Sequence, residues 1–247
     1  MTAVLELEGV TRRYGGVCAV NDVSLDVEAG ERHVVIGPNG AGKTTLFKLI
    51  SRLEPCSDGH IRVFGKDVTR MAPHRVAHLG LARTYQITQV FPSLTALDNV
   101  LLAVQGSGAG KFRMLRAAKR SLVEKARETL ARVGLEGREE RVAAELGHGE
   151  QRQLELALAL ASDPKLLLLD EPAAGLSGAD RSTIRDLVSG LPEDVTVLLI
   201  EHDMELALGL ADRVTVLHNG ALIAQGAPEE IKRDERVKDI YLGRDGD

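Results

Sequence analysis

Between a short apolar run and a stretch of helical spacing, the chain reads GPNGAGKTT, residues 37–45. Gly37-x-x-x-x-Gly42-Lys43-Thr44 has the spacing of a phosphate loop, which works only where a buried strand leads into it and a helix begins as it ends. Both flanks are present. RHVVIG before it reads as a buried strand, and GKTTLFKLISRL after it carries Leu46, Leu49, Ile50 and Leu53 at helical spacing. The glycines let the loop Gly37-Pro38-Asn39-Gly40-Ala41-Gly42 turn its N–H groups, all but that of Pro38, which has none, toward one anion, and the helix start adds positive potential. Lys43 then reaches the terminal phosphates, and the Thr44 hydroxyl, with Thr45 beside it, can ligate magnesium. A nucleoside triphosphate with Mg2+ is the implied ligand. A bare turn ahead of an amphipathic helix would leave Gly42-Lys43-Thr44 unexplained.

The rest of the chain surrounds this unit with elements of an α/β fold. AVLELEGV and VNDVSLDVE alternate like antiparallel strands at one side of a sheet, while HIRVFG and GLARTYQ are two further strand candidates. From about Leu94 to Ala161 the pattern is mainly helical, broken by QGSGAG at 105–110, and reads as a helical insertion. Beyond it KLLLLD, DVTVLLIE, DRVTVLHNG and ALIAQG alternate with the helical GADRSTIRDLVSG and MELALGLA, the pattern of a mostly parallel sheet. The tail PEEIKRDERVKDIYLG reads as short helices. With 247 residues and 44% hydrophobic content there is enough apolar material for one large domain, or a core with a subdomain.

Two acids close the leucine run LLLLDEP. Asp170 and Glu171 stand at the carboxyl end of a strand, the edge where open α/β sheets bind ligands, and Pro172 stops the strand. Asp170 suits a magnesium held through water, and Glu171 a base facing the γ-phosphate that orients or deprotonates an attacking water. A solvated strand end carrying two acids is the alternative, and the phosphate loop upstream argues against it. His202 ends TVLLIEH at another strand end, where an imidazole can donate to the γ-phosphate or hold the water; a purely structural histidine is the other reading.

The ordered set GPNGAGKTT, RTYQ, LGHGEQRQ, LLLLDEP and IEH resembles the ATP-binding cassette of ABC transporters across essentially the whole chain. The resemblance implies a phosphate-loop ABC ATPase core with an antiparallel β subdomain and an inserted helical subdomain: 1–87 and 163–247 as core, 88–162 as the helical part with the signature loop. It implies two cassettes facing head to tail, each ATP lying between one chain's phosphate loop and the other's signature loop. Gly147, His148, Gly149 and Glu150 occupy the signature position, so the helix after them should aim its N–H groups at the γ-phosphate held by the opposite chain. By the same resemblance Tyr14 stacks on adenine, Gln86 touches magnesium and couples to the membrane subunit, and His202 is the switch histidine. A strand tyrosine packed on VCAV and a polar strand-end residue remain the plainer readings of Tyr14 and Gln86. Two positions depart from the pattern: Gly147 stands where serine is usual, and Ser177 where aspartate is usual. Losing a hydroxyl bond to phosphate costs about 1.5–3 kcal/mol, softened by the remaining backbone donors, so a weakened but working signature is expected.

The wording around the motifs, from ARTYQITQVFPSLTALDNVLLA to GAPEEIKRDERVKDIYLG, resembles cassettes of bacterial importers for branched-chain and other hydrophobic amino acids. That resemblance implies two membrane permease subunits, a second cassette that is more often a different chain than a copy, and an extracytoplasmic substrate-binding protein acting indirectly. It places the protein peripherally on the cytoplasmic face of the membrane. No nucleic acid is expected: net charge is −5 and aromatics are 3%. The N-terminus lacks the basic start and apolar core of a signal peptide, and runs such as LLLL fall far short of the roughly 20 residues of a membrane helix. Cys18 and Cys56 have no metal or disulfide spacing, as suits a reducing compartment. KFRMLRAAKR at 111–120 carries five basic residues, a solvated helix face or a stripe for lipid headgroups or a membrane subunit. Two rivals stand beside the importer: a soluble ABC ATPase acting on ribosomes or nucleic acid, and a low-turnover regulatory subunit, the latter suggested by Gly147 and Ser177.

Overall fold

The structure, a computed structural model, describes residues 3–84, 90–106 and 116–242. The chain gathers into two compact units, one of Met1–Leu81, Lys165–Glu171 and Pro192–Asp247, the other of Ala82–Pro164 and Pro172–Leu191.

In the first unit, β1 (Ala3–Tyr14) and β2 (Val17–Glu28) form the expected antiparallel pair, and β4 (Asp58–Val63) and β5 (Lys66–Asp67) extend it in the order β2-β1-β4-β5. A second sheet has the order β10-β9-β3-β8-β7-β6, with β3 (Arg32–Ile36), β6 (Leu81–Arg83), β7 (Leu166–Asp170), β8 (Thr196–Ile200), β9 (Arg213–His218) and β10 (Ala221–Gly226). β3 runs parallel to β8 on one side and β9 on the other, and β7 runs parallel to β8. Every residue of LLLLD and TVLLI is buried, as befits strands covered on both faces. β10 instead returns antiparallel on β9.

Helix α1 (Lys43–Ile50) buries Leu46, Phe47, Leu49 and Ile50 in a core shared with Leu5 and Val20 of the antiparallel sheet and Leu166, Leu198 and Leu217 of the parallel one. It ends earlier than the apolar spacing suggests. Ser51 caps it, Arg52 turns left-handed at φ 60, and Leu53 lies outside it and exposed. Short α2 (Pro73–Ala77) follows β5, and α7 (Met204–Leu210), α8 (Pro228–Arg233) and α9 (Glu235–Leu242) complete the unit.

A polar network crosses its core. Buried His33 on β3 has Nδ1 3.0 Å from Glu31 Oε1 and Nε2 2.7 Å from Thr215 Oγ1 on β9. Arg213 Nε donates to Glu31 at 2.7 Å, and its Nη2 reaches Asp26 of β2 at 2.9 Å. Burial raises the Glu31 pKa, but the bonds from His33 and Arg213 outweigh it and hold the carboxyl at about 2.

The second unit is mainly helical: α3 (Ala96–Val104), α4 (Arg116–Arg132), a 3-10 turn at Ala143–Glu145, α5 (His148–Leu160) and α6 (Gly178–Ser189). Thr95 caps α3 through Asp98 N at 3.0 Å. Buried Val100, Val104, Leu130, Leu135, Leu154 and Leu160 fill the space between the helices.

Candidate functional site

The turn after β3 is built for close backbone approach. Gly37 has φ 153, and a Cβ there would lie 2.2 Å from Leu217 O; Gly42, the N-cap of α1, has φ 99, and a Cβ there would lie 2.3 Å from Ala19 O. Only glycine fits both. The loop is tied down by Gly220 N donating to Ala41 O at 3.1 Å and Leu46 N to Gly42 O at 2.8 Å. Asn39 and Gly40 are exposed at its crown, Pro38, Thr44 and Thr45 are half-buried, and Ala41 is buried.

Lys43 is buried, its Nζ folded back on the loop to donate to Gly37 O at 2.6 Å and Pro38 O at 3.1 Å. Burial lowers its pKa, while the nearby charges of Glu171 and Asp170 work against that shift. β8 lies between β3 and β7, so the phosphate loop, His202 and the Asp170–Glu171 pair all emerge at the carboxyl ends of adjacent parallel strands. Asp170 is buried and paired in register with Ile200. Glu171 adopts φ 49 and donates its N–H to Ile200 O at 3.0 Å, which turns the chain at the strand end. His202 is 54% exposed, with Nδ1 3.8 Å from Glu171 Oε2 and 3.9 Å from Glu201 Oε2. Four of the residues singled out from sequence thus meet at one edge: Lys43, Asp170, Glu171 and His202.

Tyr14 ends β1 opposite Val17 and is 41% exposed. Its hydroxyl donates to Glu54, and the Arg12 guanidinium lies 4.5 Å from the ring centroid. Gln86 lies outside the described residues, as does the basic stripe at 111–120 apart from the backbone of α4 and the side chain of Arg120.

The Gly147 turn belongs to the helical unit. Gly147 is the N-cap of α5, and its N–H donates to Glu150 Oε2 at 3.0 Å. This is half a capping box, since glycine has no side chain to complete the reciprocal bond. Arg138 Nε holds the other Glu150 oxygen at 2.8 Å. The bond from the Gly147 N–H outweighs the opposing effect of desolvation and, with Arg138 adding to it, keeps the Glu150 carboxyl below its usual range. Gly147 and His148 are exposed; at Gly149 a Cβ would lie 2.4 Å from Asp180 Oδ1. Ser177 is the N-cap of α6, donating to Asp180 Oδ2 at 2.7 Å and accepting from Asp180 N at 3.3 Å. Sequence reasoning missed Arg138, Asp180 and the Arg12–Glu54 pair around Tyr14. Only Ser177-x-x-Asp180 carried a signal, the spacing of a capping box.

The family described as ABC transporter matches residues 20–174, spanning the phosphate loop, the Gly147 turn and the Asp170–Glu171 pair. The chain belongs to the ABC transporter family. As a cassette of that family it binds and hydrolyses ATP, and its fold is that of ABC ATPases. A second match, described as branched-chain amino acid ATP-binding cassette transporter, covers residues 221–247. The cassette is 38% identical to the high-affinity branched-chain amino acid transport ATP-binding protein BraF of Pseudomonas aeruginosa, over 97% of this chain and 98% of that one. It is also 38% identical to a ribose import ATP-binding protein, RbsA 3 of Rubrobacter xylanophilus, but spans only 48% of that protein. Among solved structures, an ATP-binding cassette of an ABC transporter in its ADP conformation aligns with a TM-score of 0.87 at 30% identity, covering 98% of this chain and all of that one. No helix among the described residues is long and apolar enough to cross a membrane.

Proposed function

We propose that this cassette powers the uptake of branched-chain or other hydrophobic amino acids through separate membrane permease subunits, pairing with a second, different cassette. A substrate-binding protein outside the membrane would deliver the amino acid, and the cassette would work at the cytoplasmic face. The observation that carries the ATPase half of this reading is the meeting of Lys43, Asp170, Glu171 and His202 on the edge beside the phosphate loop. Support for the substrate class is the match at 221–247 and the near end-to-end alignment with BraF. The ribosomal or nucleic-acid rival is not favoured.

The placement of Lys43, Asp170, Glu171 and His202 supports the roles given to them, and those of Tyr14, Gln86 and the Gly147 turn rest on the family resemblance. Backbone N–H groups of residues 39–44 and the start of α1 receive the β- and γ-phosphates, and Lys43 exchanges the carbonyls of Gly37 and Pro38 for phosphate oxygens. Its burial makes that exchange favourable, because a buried ammonium gains more from an anion than from two neutral carbonyls. Glu171 accepts a proton from, or orients, the attacking water, and His202 on the neighbouring strand end steadies that water and the γ-phosphate. Tyr14 offers the face of its ring opposite Arg12 to adenine, and by the family resemblance Gln86 would touch magnesium and couple to the membrane subunit. Thr44 and Asp170 are hard oxygen donors at the mouth of the loop and suit Mg2+, which takes one or two protein oxygens together with phosphate. Bound there, the metal would neutralise phosphate charge. Gly147, His148, Gly149 and Glu150 would meet the ATP of the opposite cassette.

The Glu171→Gln protein, trapped with ATP and Mg2+ and purified from detergent-solubilised membranes of its native cell, should bring down polytopic permeases and a sister cassette while failing to hydrolyse ATP. Recovery of ribosomes or nucleic acid, or hydrolysis that persists, would overturn the reading.

A further inference from the structure

The turn at Gly147 carries a negative charge where an anion should be welcomed. Glu150, in the first turn of α5, spends one oxygen on the Gly147 N–H, and in solution the same carboxylate would repel any phosphate approaching that helix start. Arg138, twelve residues earlier in sequence, meets the other oxygen at 2.8 Å. Arg141 adds positive potential from nearby, although its own Nη2 is committed to Glu145 O at 3.1 Å. Asp180, a second carboxylate beside the turn, is occupied by the Ser177 hydroxyl and serves the first turn of α6. Glu145, two residues before Gly147, and His148 in the turn are exposed.

We propose that Arg138 is a positioning residue for the nucleotide met by this turn: it fixes the Glu150 carboxylate on the Gly147 N–H and cancels its charge, so that the start of α5 stays attractive to the γ-phosphate held by the opposite cassette. The proposal rests on the reading of residues 147–150 as the signature turn. It also accounts for how the turn manages without a serine hydroxyl. With no side chain at Gly147 to anchor the first turn, the Glu150 half of the capping box is the side-chain restraint on the Gly147 N–H, and Arg138 is what makes that restraint compatible with a phosphate.

The test uses the assembled transporter, both cassettes with both membrane subunits, and reads ATPase rate against ATP concentration at low and high salt. Arg138→Ala should raise KM for ATP about three- to tenfold at low salt with kcat within about twofold, and the defect should shrink as salt screens the uncovered carboxylate. Glu150→Gln keeps an acceptor for the Gly147 N–H but removes the charge, so Arg138→Ala added to Glu150→Gln should change KM no further. An Arg138→Ala protein with unchanged KM overturns the proposal, as does a defect that persists at full size in the Glu150→Gln background, which would mean that Arg138 acts through packing. Gly147→Asp separates this from the underlying reading: aspartate is a favoured N-cap, and a Cβ built at Gly147 meets only Glu150 Oε2 within 4 Å, at 3.8 Å, yet the new carboxylate places a further anion where the phosphate should sit. If Gly147→Asp leaves KM and kcat untouched, the turn is not a phosphate site and the reading beneath the proposal fails. If it raises KM while Arg138→Ala does nothing, only the role of Arg138 falls.

Discussion

Two glycines of the phosphate loop, separated by one alanine, differ sharply in what an added methyl would meet. Gly40 has φ 81 and nothing within 4 Å of a built Cβ; Gly42 has φ 99, and its Cβ would lie 2.3 Å from Ala19 O and 3.4 Å from Gly220 Cα. Both alanine variants bear the strain of a left-handed residue, about 1–2 kcal/mol. Gly42→Ala must also push apart two backbones that cannot rotate away, straining the bonds Leu46 N to Gly42 O, Gly220 N to Ala41 O and Asn21 N to Gly220 O, each worth about 1 kcal/mol. The sum is about 4 kcal/mol for Gly42→Ala against about 1 for Gly40→Ala. At about 2–4 °C per kcal/mol for a chain of this size, melting without nucleotide should fall by about 8–16 °C in the first and about 2–4 °C in the second. Calorimetry of the two variants beside the parent decides it. A difference between them of less than about 3 °C would refute the claim that β2 and the turn before β10 clamp the loop, and would leave backbone strain alone as the reason for glycine.

Glu31 has its pKa lowered from 4.5 to about 2, so its contribution is complete above pH 4.5 and is lost as pH falls toward 2; for a group this well enclosed it is about 3 kcal/mol, and urea unfolding between pH 6 and 3 should show Glu31→Gln less stable at pH 6 but flatter with acid. Gly147→Ser should alter stability by only about a few tenths of a kcal/mol, since glycine is already a tolerable N-cap, yet raise ATPase of the assembled complex by supplying a hydroxyl to phosphate; an unchanged or slower rate counts against it.

The phosphate-loop edge was legible because each of its parts has a local signature: a glycine spacing before helical periodicity, and apolar runs ending in charge. Elements without such periodicity were not. β5 has two residues and α2 has five, too few for a repeat to register. Leu53 kept helical spacing with Leu46, Leu49 and Ile50, but Arg52 turns left-handed and ends the helix, a tertiary choice that spacing does not encode. β10 was expected in a mostly parallel sheet, and its reversal had a signal in Asn219-Gly220, where φ values of 48 and 80 suit a tight hairpin turn. Arg138 was invisible for a different reason. Its partner lies twelve residues away across a turn and a 3-10 segment, and nothing in the order of residues distinguishes it from the other arginines nearby.

That contrast bears on how each unit prepares its part of the chemistry. In the first unit the reactive groups inherit their positions from parallel strands buried on both faces, so Lys43, Asp170 and Glu171 are placed by the core itself. The Gly147 turn has no strand behind it. Its preorganisation has to come from polar contacts within the helical unit: Glu150 on the Gly147 N–H, Arg138 on Glu150, Gln151 N on Gly147 O at 2.8 Å, and Gln151 Nε2 on Ala143 O at 3.2 Å. Polar contacts at a partly exposed helix start are individually weak and sensitive to salt, whereas the strand-borne groups are not. Raising ionic strength should therefore increase KM for ATP in the assembled transporter while Gly147→Ser, which replaces part of that network with a fixed hydroxyl, reduces the sensitivity; equal salt dependence in the two proteins would mean that the turn is held by packing after all.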